Sequence, residues 1–252
     1  MELGTMSTYE FEEKLEEVEL VLIPTGSIEQ HGPNMALETD TTIAHSLSLL
    51  LAKELGPMAV SLPPVDYGIS LHHMGYKGTI TLKPETFCSI LEDICVSMNR
   101  HKELCFLFIN GHSGNKDSLK MVCSKLRHTH GIKSASMFYF DLAADVIKER
   151  LKSSVYGHAD EIEGSMAMYL GKSELIKTSS MKSGENRPPI YPHVSLSGEP
   201  GIFYPLVFEE KTYNGVQGNP EHASAETGKA ICDAIVQRVR EFALEFVKNS
   251  RI

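Results

Sequence analysis

No run of 18 apolar residues occurs in the 252-residue chain, so nothing in it reads as a membrane-spanning helix. Basic charge is also scarce: 24 Lys and Arg face 33 Asp and Glu, a net charge of −9. Neutralising phosphate backbones needs clustered Lys and Arg, so no nucleic-acid partner is expected. Cysteine is confined to Cys88, Cys95, Cys105, Cys123 and Cys232, an odd and scattered set in apolar stretches. That pattern suits free thiols in a reducing compartment better than a disulfide framework. Residues 1–19 lack the basic-then-apolar order of a signal peptide, and a cytoplasmic location is expected. There is no GxSxG elbow, no P-loop, no GxGxxG fingerprint, and no cysteine beside a histidine that would activate it. At 42% apolar and 23% charged residues, the composition is that of a globular protein.

Short apolar runs alternate with amphipathic ones. Strands are expected at Val18–Ile23, Ala59–Leu62, Leu104–Ile109 and Ser134–Phe140. Helical spacing covers Thr8–Val18, Thr41–Leu55, Pro84–Asn99, Asp117–His130, Leu142–Leu151, Ala159–Leu170 and Ala223–Asn249. In the last of these, Ile231, Ile235, Val239, Phe242 and Phe246 are spaced for one face. The alternation predicts an α/β fold, a largely parallel sheet covered on both faces. With no repeat and no compositional break, residues 1–252 read as one domain. Such sheets bind ligands at the carboxyl ends of their strands, where the polar loops Thr25–Asp40 and Asn110–Asn115 would open.

Those loops carry the first chemistry. Glu29 and His31, two apart in an extended segment, project to one side, and Asp40 heads the next helix, where the chain can fold back to them. One imidazole with two carboxylates suits Zn²⁺, Mn²⁺ or Fe²⁺. The same residues also fit a plain helix cap at Asp40 and two solvated loop side chains. In Asn110-Gly-His-Ser-Gly-Asn115 two glycines let the backbone approach a ligand, His112 faces the sheet edge, and Asn115 can cap the following helix. His158 and Glu163 cannot share a helix face, so they converge only if His158 lies in the lead-in loop. Asp160 and Glu161 read as first-turn acids. Of the adjacent His72 and His73, only one can point inward from a strand. His101, His128, His130 and His222 sit on surface-like stretches. Carboxylates and imidazoles without a covalent nucleophile point to water activated by a divalent metal.

Taken together, five ordered strings resemble the creatininase (creatinine amidohydrolase) family of metal-dependent amide hydrolases. They are Gly26–Gly32 (GSIEQHG) with Asp40-Thr41, His73–Thr79 (HMGYKGT), Asn110–Asn115 (NGHSGN), His158–Ser165 (HADEIEGS) and Gly215–Pro220 (GVQGNP). The resemblance implies an α/β/α three-layer sandwich, often a homo-oligomer (a hexamer), with one or two divalent ions of Zn, Mn or Fe. It also implies metal ligands at Glu29, His31, Asp40 and His112, with Asp40 as the bridge, Glu163 as a further ligand, and proton transfer by His158. His73, Ser113 and Lys77 are the candidate substrate contacts, Lys77 for a substrate phosphate. Gly114 stands where creatininase has an acidic ligand, so the second site is either completed by Glu163 or emptier than in creatininase. The chain has no tryptophan, one of the aromatic residues with which creatininase sandwiches its flat ring.

The function expected is hydrolysis of a non-peptide C–N amide bond, a cyclic amide or a formamide, in a small molecule. Relatives implied by the same resemblance are a formamide deformylase acting on a ring-opened pyrimidine nucleotide in flavin or deazaflavin synthesis and a peptidase of redox-cofactor maturation. A non-catalytic, metal-stabilised binding protein is the rival from another class.

Overall fold

The computed structural model describes residues 1–188, 190–194 and 202–249. Its frame is four parallel strands in the order β2-β1-β3-β4, with β1 at Leu20–Thr25, β2 at Ala59–Ser61, β3 at Cys105–Asn110 and β4 at Ser134–Phe138. The central strands β1 and β3 are buried along their whole length and pair from Leu20↔Cys105 to Thr25↔Asn110. Their uninterrupted apolar runs suit this burial, since a parallel strand is covered on both faces. Pro24 lies inside β1, but only Leu20–Leu22 pair with the three-residue β2, so the missing N–H falls beyond that ladder.

Helices cover both faces, as the alternation predicted. On one face lie α3 (Pro84–Asn99) and α4 (Lys116–His130). Pro84 opens α3 at a position with no N–H to lose, and Phe87, Leu91 and Cys95 form its buried row. Gly131, left-handed at φ 69°, closes α4. These rows meet Val21, Ile23, Phe106 and Phe108 from the sheet. On the other face α2 (Thr39–Leu55), α7 (Glu161–Tyr169) and α8 (Ala225–Lys248) pack on Leu20, Leu22, Leu107 and Ile109. Three shorter α-helices are also present among the described residues: α1 (Thr8–Leu15), α5 (Tyr139–Leu142) and α6 (Ala144–Arg150). None of the described helices is long and apolar enough to cross a membrane.

Two expectations shift at this level. The run predicted as a strand to Phe140 turns helical at Tyr139, whose ring is fully buried. On α8 the inward row is Ile231, Ile235, Val239, Ala243 and Val247, a four-residue step throughout. Phe242 lies off that row, is 43% exposed, and stacks on Phe246 at 4.9 Å. The five cysteines are free thiols. Part of the loop-rich stretch after Lys177, residues 189 and 195–201, lies outside the described residues.

The β3 core gives a direct stability expectation. Phe106 is fully buried between α3 and α4, and Phe106→Ala should cost about 3–5 kcal/mol. A thermal melt should fall by roughly 6–20 °C, and a drop near zero would contradict this packing.

Candidate metal centre

The carboxyl ends of β1 and β3 are joined by a hydrogen bond from Thr25 Oγ1 to Asn110 Oδ1 (3.3 Å), and the loops that follow bring the expected residues together. Glu29, His31, Asp40, His112, His158 and Glu163 are all buried in one cluster. Asp40 is not a cap. The helix starts at Thr39 with Glu38 at the cap position, and the Asp40 carboxylate turns inward. Gly111 permits this: a Cβ there would lie 2.2 Å from the Asp40 carbonyl. Asn115 does not cap α4 with its side chain; it accepts from the Ile69 N–H and donates to the Gly26 carbonyl, tying three loops together.

Three histidines share one arrangement. His31 Nδ1 donates to the Glu29 carbonyl (3.1 Å), His112 Nε2 to the Ile69 carbonyl (3.1 Å) and His158 Nε2 to the Gln30 carbonyl (2.7 Å). Each thereby turns its other ring nitrogen to the carboxylates. His31 Nε2 lies 3.3 Å from Asp40 and 3.7 Å from Glu163. His112 Nδ1 lies 3.1 Å from Asp40 and 3.2 Å from Glu29, and His158 Nδ1 is 3.7 Å from Glu29. A backbone acceptor that fixes the tautomer and frees the second nitrogen is the usual setting of a metal-bound imidazole.

Charge and satisfaction tell the same story. Burial works against charge on His31, yet Asp40, Glu163 and Glu29 raise its pKa to about 10. Burial likewise opposes ionisation of Asp40, and His31 and His112 outweigh it, holding that carboxyl below its usual range. His112 is pushed up against its own burial by Glu29 and Asp40. Glu163 is pushed up by burial, with Asp40 adding to it. His158 is pushed down by burial and by His31. The carboxylates of the cluster thus draw protons to His31 and His112, while His158 stays neutral. Within the cluster, His31 Nε2 and Asp40 Oδ2 are buried with no hydrogen-bond partner. Orphaned atoms of this kind are costly unless a cation answers them, so the donor set fits a divalent metal.

The ligand atoms form two triplets that share one residue: Glu29, Asp40 and His112, and His31, Asp40 and Glu163. A third, Glu29, His31 and His158, overlaps both. His158 does lie in the lead-in loop, ahead of α7; Asp160 caps that helix, accepting from the Ile162 and Glu163 N–H groups. Glu161 lies in the first turn, as expected, and is a buried acceptor for the Lys152 and Ser153 N–H groups, while Asp160 stands one position earlier as the cap. Gly114 leaves no room for an acidic side chain, because a Cβ would meet the Ile69 carbonyl at 2.2 Å and His112 Nε2 at 2.4 Å.

Of the expected substrate contacts, His73 lies in the cluster, with Nε2 3.4 Å from Glu29. Ser113 and Lys77 are exposed. His72 and His73 occupy a 3-10 turn instead of a strand, and both face inward: His73 is buried and His72 stacks on His112 at 5.5 Å. Burial, with His112 and Lys211 nearby, lowers the His72 pKa to about 3. Sequence reasoning missed Gln30, Ser70 and Phe208. Gln30 Nε2 lies 2.9 Å from His73 Nδ1 and 3.0 Å from His158 Nε2. Ser70 donates to Glu29 (2.6 Å). Phe208 stacks on His73 at 4.2 Å and meets His158 edge-on at 4.7 Å. Gln30 sits between two flagged residues and could have been read; Phe208 lies in an aperiodic loop and carries no such signal.

The profile of the creatininase family, described as creatinine amidohydrolase, matches residues 4–243. The chain belongs to this family. Among its relatives, the mycofactocin precursor peptide peptidase of Mycolicibacterium smegmatis is 27% identical over 220 residues, spanning 85% of this chain and 80% of that protein. Creatinine amidohydrolase of Pseudomonas putida is 22% identical over 257 residues, 95% and 94% of the two chains. A crystal structure of creatinine amidohydrolase aligns with a TM-score of 0.78 at 22% identity, covering 97% of each chain. Creatininase has also been solved in a manganese form, at a TM-score of 0.77. The creatininase fold is therefore the three-layer arrangement expected, and this creatininase-family chain is placed among hydrolases.

Proposed function

We propose that the protein is a metal-dependent amidohydrolase that opens a non-peptide C–N amide bond, a cyclic amide or a formamide, in a small molecule. The observation that carries this reading is Asp40, shared by two buried ligand triplets. Glu29, Asp40 and His112 would hold one divalent ion, and His31, Asp40 and Glu163 a second. Zn and Mn suit the mixed carboxylate and imidazole donors, with Fe also compatible. A bound divalent ion supplies Lewis acidity, bringing the pKa of a coordinated water from 15.7 to about 7.

The chain's own groups do the remainder. His158, with Nε2–H committed to the Gln30 carbonyl, has Nδ1 open to the cluster. It takes up the proton released by the attacking water and passes it to the departing nitrogen. His73 and Phe208 form an aromatic wall that excludes bulk water beside His158. A non-catalytic metal-binding role would not call for an imidazole with a free nitrogen at this point.

A second reading has one observation in its favour: the relatives at 27% identity are named as peptidases of a precursor peptide. Both readings are tested on one sample. Metal analysis of the untagged protein should give close to two ions per chain, and chelation should abolish turnover that Zn or Mn then restores. A panel of formamides, cyclic amides and short peptides decides the bond cleaved. Hydrolysis of peptides alone would replace the first reading by the second, and a protein that takes up no metal would sink both.

A further inference from the structure

Beside the cluster lies a cation with no carboxylate partner among the described residues. Lys211 follows the turn Phe208–Glu210, and its ammonium lies 5.6 Å from the centroid of the Phe208 ring, the ring that covers His73 and His158. Its charge is felt at His72, which stacks on His112. Some lysines of this acidic chain find carboxylates: Lys116 pairs with Asp141, Lys125 with Glu92 and Lys229 with Asp233. Lys211 is half-buried, burial lowers its pKa, and it has no carboxylate partner among the described residues.

Neither neighbouring acid forms an ion pair with it among the described residues, although Glu209 Oε2 is buried without a hydrogen-bond partner. Glu209 packs against Gly75, and Glu210 accepts from the Val207 N–H at 3.0 Å. A second cation lies on the paired segment. The Arg187 N–H donates to the Lys211 carbonyl (2.8 Å), its guanidinium covers the Tyr213 ring at 3.8 Å, and its Nε is buried without a hydrogen-bond partner. Withdrawing an ammonium from water with no counter-charge is unfavourable. The arrangement makes sense when the counter-charge arrives with the molecule that enters the site.

We propose that Lys211 anchors an acidic group of the substrate, so that the amide hydrolysed belongs to an anionic molecule bearing a carboxylate or a phosphate. This rests on the amidohydrolase reading for its chemistry but not for its test, which is equilibrium binding. Zinc-loaded protein would be titrated calorimetrically with two pairs of probes. One pair is N-acetylglycine and its neutral carboxamide; the other is N-acetylethanolamine phosphate and N-acetylethanolamine. The acidic member of at least one pair should bind roughly 10- to 100-fold tighter, the range of a charge-assisted contact.

Lys211→Met should remove that preference while leaving the neutral members unchanged, and Lys211→Arg should keep it. Lys53→Met, at an exposed lysine near the C-terminus of α2, should also keep it. The pair that shows the larger preference tells carboxylate from phosphate. The proposal is overturned if Lys211→Met retains the preference, or if the wild type binds acidic and neutral members alike, or binds neither at millimolar concentration. Turnover of the same probes reads the other claim separately. A Lys211-dependent preference with no hydrolysis of any amide would keep the anion anchor and remove the amidohydrolase reading.

Discussion

Asp40→Ala is expected to strip the protein of metal and of amide turnover in one step. Asp40 is the one side chain common to the triplets Glu29–Asp40–His112 and His31–Asp40–Glu163, so its loss opens both. Metal content should fall from close to two ions per chain to near zero, and turnover by at least about 10²–10³-fold, the scale seen when one electrostatic group is removed from an active site. Glu163→Gln provides the contrast, because Glu163 belongs to one of those two triplets only. That variant should keep about one ion. Retention of two ions by Asp40→Ala would show that Asp40 is no bridge, and equal losses in the two variants would show that the sites are not separable. Circular dichroism of the metal-free variants guards against reading an unfolded chain as an empty site.

The second large effect is expected at His158. His158→Ala should leave metal content unchanged and lower the rate by about 10²–10⁴-fold, the usual contribution of a placed general acid or base. The geometry behind this is the 2.7 Å hydrogen bond from Nε2 to the Gln30 carbonyl, which leaves Nδ1 facing the cluster. Its 3.7 Å separation from Glu29 is longer than the contacts His112 makes to Glu29 and Asp40. Added imidazole should restore part of the rate. The competing assignment comes from the triplet Glu29, His31 and His158, in which His158 would itself be a ligand. Loss of an ion on His158→Ala would establish that role and end the proton-transfer one.

Much of this was legible in the amino-acid order. The buried runs of β1 and β3 announce themselves because a strand covered on both faces needs apolar residues without alternation. The expected helix Pro84–Asn99 coincides with α3 since a proline at the first position and an apolar four-residue step are local signals. The site strings were visible for a related reason: glycines, histidines and acids cluster directly after strands, at the edge where a parallel sheet binds its ligands. What local pattern could not supply was direction. Asp40 at a helix start fits a cap as well as a ligand, and only the packing of α2 on Gly111 turns its carboxylate inward. His72 and His73 looked like alternating strand positions, but in a 3-10 turn both face the cluster.

Sequence by itself determined the parallel α/β frame, the family and the residue types of the centre, because each rests on short-range periodicity or on contiguous strings. The tertiary structure decided how six ionisable residues from four separate segments meet, with Asp40 between the two histidines. It also decided that Gln30, Ser70 and Phe208 pack against the same cluster. Those partnerships join residues as far apart as Gln30 and His158, separated by 128 positions. Contacts at such separation leave no periodic trace in the chain, since they are set by where the loops land after the sheet has closed.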